Sequence, residues 1–138
     1  MCVSVCSIIL LNLEGNRFGN NSAKELLDTM IYNRSLEILN ISRNGITDFC
    51  ADSIRIMLEK NVKIKEFYMQ YNMVKQQGAI LIFQGLLKNS DLRVLDMSQN
   101  KLGNNEESTS LLCKILRTNK SLVHVDLSFN YFTLLETK

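Results

Sequence analysis

One phrase of seven or eight residues recurs five times along the chain at an almost constant interval. Its copies are LLNLEGN (10–16), EILNISRN (37–44), EFYMQYN (66–72), RVLDMSQN (93–100) and HVDLSFN (124–130). Each copy ends in asparagine, and the intervals between these asparagines are 28, 28, 28 and 30 residues. They are Asn16, Asn44, Asn72, Asn100 and Asn130. Self-similarity at this period is typical of solenoids and other stacked repeats, so it restricts the fold before any other feature does.

The apolar residues change their spacing within each unit. Leu39 and Ile41 lie two positions apart, which predicts a short strand with one buried face. Ala51, Ile54 and Leu58 follow at intervals of three and four, which predicts an amphipathic helix. The equivalent helical residues are Ala23, Leu26 and Met30, then Ala79, Ile82 and Leu86, and finally Leu112 and Leu116. The unit is therefore predicted to run strand, loop, helix, turn.

Two further positions recur in every unit. An apolar residue that we expect to be buried follows each strand asparagine: Phe18, Ile46, Val74, Leu102 and Phe132. A second asparagine follows each helix, at Asn33, Asn61, Asn89 and Asn119. Because asparagine tolerates the left-handed conformation found at many helix ends, we expect these residues to adopt it.

A single unit cannot cover its own apolar face, whereas stacked units can. We therefore predict an α/β solenoid over residues 1–138, with a parallel sheet on the concave face and helices on the convex face. The predicted repeats span about 8–35, 36–63, 64–91, 92–121 and an incomplete 122–138. The fourth is two residues longer, so we expect a longer loop within Asn104–Glu107. With a strand at one end and no closing helix at the other, we expect a fragment or an end covered by a partner.

Composition limits the class of protein. Apolar residues make up 46% and charged residues 22% of the chain, and the formal net charge is +2, too small to suggest a nucleic-acid surface. No segment is apolar for the roughly 20 residues that span a bilayer, and we interpret the apolar residues 1–11 as part of the repeat rather than as a signal peptide.

The four cysteines, Cys2, Cys6, Cys50 and Cys113, form no CxxC pairs. We predict that Cys50 and Cys113 pack inside helical segments of a reduced, intracellular and cytoplasmic protein. Lipidation or reactivity of Cys2 and Cys6 remains an alternative.

The segments LEILNISRN, LRVLDMSQN and LVHVDLSFN match the phrase LxxLxLxxN. The chain therefore resembles the leucine-rich repeat family, in its ribonuclease-inhibitor-like class, from residue 8 to about 132. The runs KEFYMQYNMVKQQGAILIFQGLLKN and NKSLVHVDLSFN are similar to leucine-rich repeat proteins of cilia and flagella. That finer resemblance implies a place in an axonemal or other cytoskeletal complex.

Strand positions that face away from the core are the candidate binding residues, because they would line the concave face. They are Ile38, Asn40, Arg43, Glu66, Tyr68, Gln70, Tyr71, Val94, Asp96, His124, Asp126 and Phe129. Tyr68 and Tyr71, flanked by Arg43 and Phe129, are the predicted anchor, since tyrosine and arginine are common binding hot spots. Ser42 and Ser98 are expected on the same face. The alternative is that these are ordinary or covered surface residues. The strand asparagines are interpreted as structural.

These patterns favour a non-catalytic scaffold that binds one or more proteins in a larger complex, with no cofactor, nucleic acid, membrane or small-molecule substrate as a partner. His124 with Asp96 or Asp126 is a weak metal or acid–base alternative. Neither a nucleophile elbow nor a phosphate-binding glycine motif occurs in the sequence. Two alternatives come from the resemblance: a GTPase-activating protein and an inhibitor that wraps an enzyme.

Overall fold

The predicted order of strand, loop, helix and turn is confirmed. The computed structural model describes residues 6–132 and contains five strands, four α-helices and one 3₁₀ turn. The strands are β1 (Leu10–Asn12), β2 (Ile38–Asn40), β3 (Glu66–Tyr68), β4 (Val94–Asp96) and β5 (His124–Asp126). The helices are α1 (Gly19–Met30), α2 (Ala51–Lys60), α3 (Gln76–Lys88) and α4 (Glu106–Thr118), and the 3₁₀ turn, Asp48–Cys50, leads into α2. Cys2 and residues 133–138 lie outside the described residues.

The strands form one parallel sheet in the order β1-β2-β3-β4-β5, with equivalent positions of consecutive repeats side by side. The middle residue of each strand faces the core. Leu39, Phe67 and Leu95 are each 0% exposed, whereas Leu11 and Val125 in the outer strands are only half-buried. The apolar core is therefore deepest in the second to fourth repeats, where each unit is covered on both sides.

The helices contribute the other half of the core, opposite the buried face of the sheet. The predicted residues Ala51, Ile54, Ala79 and Ile82 are each fully buried. Gly85 fixes how closely α3 approaches α2, because a Cβ atom at this position would lie 2.7 Å from the backbone oxygen of Arg55. No helix within residues 6–132 is long and apolar enough to cross a membrane.

Four predicted burial positions need correction. In α1, Leu27 is fully buried while Leu26 is half-buried. In α4, Leu116 is 69% exposed and Ile115 is the buried residue. Leu116 is exposed because α4 is the last helix of the described chain and packs against α3 alone. Cys113 on the same helix is exposed, as is Phe132, which follows the last strand of the sheet.

The longer loop predicted for the fourth repeat is present, but it ends at Asn105, since Glu106 and Glu107 already belong to α4. Residues 69–75 connect β3 to α3, whereas residues 97–105, two more, connect β4 to α4. Asn105 ends this longer loop, and its Oδ1 accepts a hydrogen bond of 3.1 Å from the backbone N–H of Ser108. That bond caps the first turn of α4, so the insertion lengthens the loop without shortening the helix.

The asparagines that follow the helices do not adopt the predicted left-handed conformation. Asn61 has φ −77° and ψ 132°, which is extended backbone. Its Oδ1 accepts the N–H groups of Lys63 and Ile64 at 2.8 Å, and its Nδ2 donates to the carbonyl of Met30 at 2.7 Å. Asn89 bonds in the same way to the end of α2. These residues therefore link consecutive repeats through their side chains, and their backbone conformation is ordinary.

Candidate protein-binding surface

From the second repeat onward, the asparagine that ends each strand phrase joins neighbouring repeats from the inside. The Oδ1 of Asn72 accepts the backbone N–H groups of Asn44 at 3.1 Å and Ile46 at 3.0 Å. Its Nδ2 donates to the carbonyls of Ile41 at 3.2 Å and Met69 at 3.0 Å. The side chain is 4% exposed, so it is not available to a partner. The structural interpretation of this asparagine ladder is confirmed by these bonds.

The first residues of the five strands form one row across the sheet, on the face opposite the core. Strand register brings Ile38, Glu66, Val94 and His124 side by side in that order, with Leu10 at the outer edge. Leu10 and His124 are exposed and the middle three are half-buried. Glu66 lies between Ile38 and Val94, so a carboxylate separates these two apolar side chains.

The third residues of the strands form a second row. Most of them hold a turn after the strand through a hydrogen bond that was not predicted from the sequence. The Oδ1 of Asn40 accepts the N–H of Ser42 at 3.0 Å. Asp96 accepts the N–H of Ser98 at 2.9 Å, and Asp126 accepts that of Ser128, also at 2.9 Å. The side chain and backbone of Ser128, together with the nearby His124, lower the pKa of Asp126. An Asn or Asp two positions before a serine was the available sequence signal for this turn.

Tyr68 is the exception in the second row, because it cannot make such a turn. Its hydroxyl donates to the Oε2 of Glu66 at 2.7 Å. This bond, followed by desolvation and the negative charges of Glu66 and Asp96, raises the pKa of Tyr68 to about 12. The phenol therefore remains a neutral donor at physiological pH. The third strand thus presents a fixed Tyr–Glu pair on the face opposite the core.

Arg43 and Tyr71 form the most distinctive contact on this face. The guanidinium carbon of Arg43 lies 3.7 Å from the centroid of the Tyr71 ring, which is a cation–π geometry. Arg43 also pairs with Glu14 at 3.2 Å between Nε and Oε1. Tyr71 remains 45% exposed. An arginine held between a carboxylate and an aromatic ring therefore spans the first three repeats.

The residue before each strand asparagine has a positive φ, which sequence analysis did not anticipate. The values are 77° at Gly15, 56° at Arg43, 55° at Tyr71, 56° at Gln99 and 55° at Phe129. Left-handed backbone costs a non-glycine residue about 1–2 kcal/mol, so the neighbouring repeats must impose it. The glycine in the first repeat was the one available signal.

The structure brings only part of the predicted anchor together. Arg43 and Tyr71 are in contact, but Gln99 occupies the same position in the repeat between Tyr71 and Phe129. Phe129 is 74% exposed and stands apart at the end of the sheet. The central part of this surface therefore has two contacts, Arg43 with Tyr71 and Tyr68 with Glu66.

Three residues that lie two positions after the strands are less exposed than predicted. Ser42 is 0% exposed and Ser98 is 8% exposed, so the prediction that they line the surface is wrong. Turns closed by the side chains of Asn40 and Asp96 hold the two serines in these buried positions. Gln70 is half-buried, and its Oε1 is buried without a hydrogen-bond partner.

The chemistry of this face suits binding. It offers an exposed ring, a guanidinium, a neutral phenol and carboxylates on adjacent strands, which are about 4.8 Å apart in a sheet. Within residues 6–132, no group of three His, Cys, Asp or Glu side chains is arranged to hold a metal ion, and His124 lies exposed beside Asp126. Tyrosine and arginine are the residue types that contribute most to protein interfaces.

Comparison with known proteins gives two kinds of similarity. The family model described as "Leucine Rich repeat" matches residues 32–48 and 88–105. Ribonuclease inhibitor of Sus scrofa is 29% identical over 122 residues, which cover 87% of this chain and 26% of the inhibitor. NACHT, LRR and PYD domains-containing protein 13 of Homo sapiens is 23% identical over 121 residues, or 85% of this chain and 11% of that protein. The chain thus spans about a quarter or less of the length of these relatives.

Two solved structures share the fold. Leiomodin-1 Actin-Binding Site 2 superposes with a TM-score of 0.78 at 19% identity, covering 91% of this chain and 70% of that one. The tropomodulin C-terminal domain of Caenorhabditis elegans superposes with a TM-score of 0.79 at 12% identity, covering 88% and 74%. The in-register parallel sheet and the asparagine ladder thus give this chain a leucine-rich repeat fold, and its sequence is similar to the ribonuclease-inhibitor-like class of that family.

Proposed function

We propose that this chain is a non-catalytic interaction scaffold, in which residues 1–138 act as one repeat domain and the concave face binds a protein partner. The observation that carries the proposal is the exposed Arg43–Tyr71 contact beside the Tyr68–Glu66 pair. A left-handed backbone and a carboxylate hold these side chains in place before a partner arrives. Such preorganisation reduces the entropy that association would otherwise cost.

Membership in a cytoskeletal complex is part of the same proposal. A similar fold serves as an actin-binding site in leiomodin-1, as its description states. The resemblance of residues 65–89 to leucine-rich repeat proteins of cilia and flagella supports an axonemal setting inside the cell. The similarity to ribonuclease inhibitor supports an alternative in which the partner is an enzyme that this face inhibits.

Affinity purification of the full-length protein from its native cells tests the proposal. The double variant Arg43→Ala/Tyr71→Ala removes the central contact while leaving the core intact. We expect recovery of the partner to fall at least about 30-fold, which corresponds to a hot spot of about 2 kcal/mol. Mass spectrometry quantifies the recovery, and assay of a recovered enzyme separates inhibition from structural assembly.

The matched control is Lys24→Ala/Asp28→Ala, which removes an exposed ion pair of 2.6 Å on helix α1. It deletes a charged contact of similar exposure on the helical side, and we expect it to leave partner recovery unchanged. Equal recovery with both double variants, or recovery of the protein only as a free monomer, would refute the proposed function.

A further inference from the structure

The turns that lead from the helices to the following strands carry more positive charge than the rest of the chain. Four equivalent turns span residues 32–37, 60–65, 88–93 and 118–123. In the first, Arg34 is offset by Glu37. The other three, which we call the basic edge, contain Lys60, Lys63, Lys65, Lys88, Arg93 and Lys120 against a single acid, Asp91. The basic edge thus has a formal charge of +5, whereas the whole chain has +2 and the remaining residues therefore have −3.

Backbone hydrogen bonds hold these turns side by side. The N–H of Arg93 donates to the carbonyl of Lys65 at 2.8 Å, and the N–H of Val123 donates to the carbonyl of Arg93 at 2.9 Å. Adjacent turns are therefore separated by about the spacing of parallel strands, roughly 4.8 Å. These bonds bring the basic residues of successive repeats to the same edge of the solenoid.

The fold itself accounts for only part of this charge. Lys60 and Lys88 end helices α2 and α3, where a cation is favoured by the helix dipole. Lys88 pairs with Glu59 at 3.4 Å, and Lys65 pairs with Asp91 at 3.6 Å.

Neither a helix end nor an ion pair accounts for the other three basic residues, Lys63, Arg93 and Lys120. They are exposed, lie beyond the helices and have no acidic partner in the described part of the chain. Like charges gathered at one edge repel each other, so this cluster opposes folding unless an anionic partner neutralises it.

Apolar side chains alternate with the basic ones. Val62 is 49% exposed beside Lys63, and Val123 is 79% exposed beside Arg93. An aliphatic side chain gains nothing from a phosphate backbone, whereas a polypeptide can supply carboxylates and apolar residues together. We propose that the basic edge binds an acidic protein segment that carries apolar side chains, at a surface separate from the concave face. The chain would then have two binding surfaces and could bridge two partners.

Fluorescence anisotropy at low salt, with the full chain and a labelled peptide of repeated Glu-Glu-Leu, tests this inference. The edge variant is Lys63→Glu/Arg93→Glu/Lys120→Glu. The control, Arg17→Glu/Lys75→Glu/Lys101→Glu, makes the same charge change on exposed residues between the strands and the following helices. We expect the edge variant to weaken binding at least about 10-fold and the control less than about 3-fold, because short-range pairing acts in addition to net charge.

Three further comparisons make the result decisive. A peptide of repeated Glu-Glu-Ser should bind more weakly than Glu-Glu-Leu, and oligouridylate of the same charge should also bind more weakly. The Arg43→Ala/Tyr71→Ala variant should bind the peptide normally, so failure of the concave-face proposal is distinguishable from failure here. Equal weakening by the edge and control variants, tighter binding of oligouridylate, or no binding of the Glu-Glu-Leu peptide would overturn the inference.

Discussion

Replacement of Asn72 by alanine is expected to lower the free energy of unfolding by about 3–5 kcal/mol. The variant leaves the N–H groups of Asn44 and Ile46 without their acceptor in the buried interior. Each unsatisfied buried group costs about 1–3 kcal/mol, and a small cavity adds to that loss. Urea denaturation followed by circular dichroism measures the change.

Asn16 provides the matched control for this prediction. It occupies the same position in the first repeat but is exposed, and its Nδ2 bonds only to the carbonyl of Leu13 at 2.8 Å. Since solvent can replace that bond, Asn16→Ala should cost less than about 1 kcal/mol. Similar losses in the two variants would show that the interior ladder does not stabilise the stack in the way described.

The second large effect is expected from Phe67→Ala. Phe67 lies in the central strand β3, is 0% exposed and packs between the equivalent residues of the neighbouring strands. Removing a buried phenylalanine ring costs about 3–5 kcal/mol through lost burial and the cavity that remains. Because each repeat is stabilised by its neighbours, we expect the second and fourth repeats to be destabilised as well. The same denaturation experiment measures it.

Phe129→Ala is the control for Phe67→Ala, because Phe129 is 74% exposed. Its replacement should change the free energy of unfolding by no more than about 0.5 kcal/mol, as is usual for surface substitutions. A loss at Phe129 as large as that at Phe67 would contradict the placement of the core between the sheet and the helices.

The fold could be predicted from the sequence because its main determinant is periodic. The recurrent strand asparagine set the register, and the change from alternating to helical spacing located the strands and helices. Leu116 was assigned to the core because its spacing fits a helical face. The structure buries Ile115 instead, since burial of α4 depends on where α3 packs against it. Gly85 likewise shows its role only once the helices are in contact.

The candidate surface was less predictable than the fold. The alternation of strand residues identified which side chains face away from the core, including Tyr68 and Glu66. It could not show that Asp96 and Asp126 hold turns, or that Arg43 lies over Tyr71, because those contacts depend on local backbone geometry. The left-handed conformation at Tyr71 could not be predicted either, because the residue at that position is not a glycine.

Photo-crosslinking in native cells tests the concave-face proposal most directly. Benzoylphenylalanine is introduced in separate proteins at Tyr71, at Phe129 and at Phe49, an aromatic residue that is 59% exposed in the 3₁₀ turn before α2. The three sites have comparable side chains, but Tyr71 and Phe129 occupy the equivalent position after their strands, whereas Phe49 lies in the turn before helix α2. We expect a specific adduct with one protein from Tyr71 and Phe129 and none from Phe49. An adduct formed from Phe49 but not from Tyr71 or Phe129 would contradict binding through the concave face.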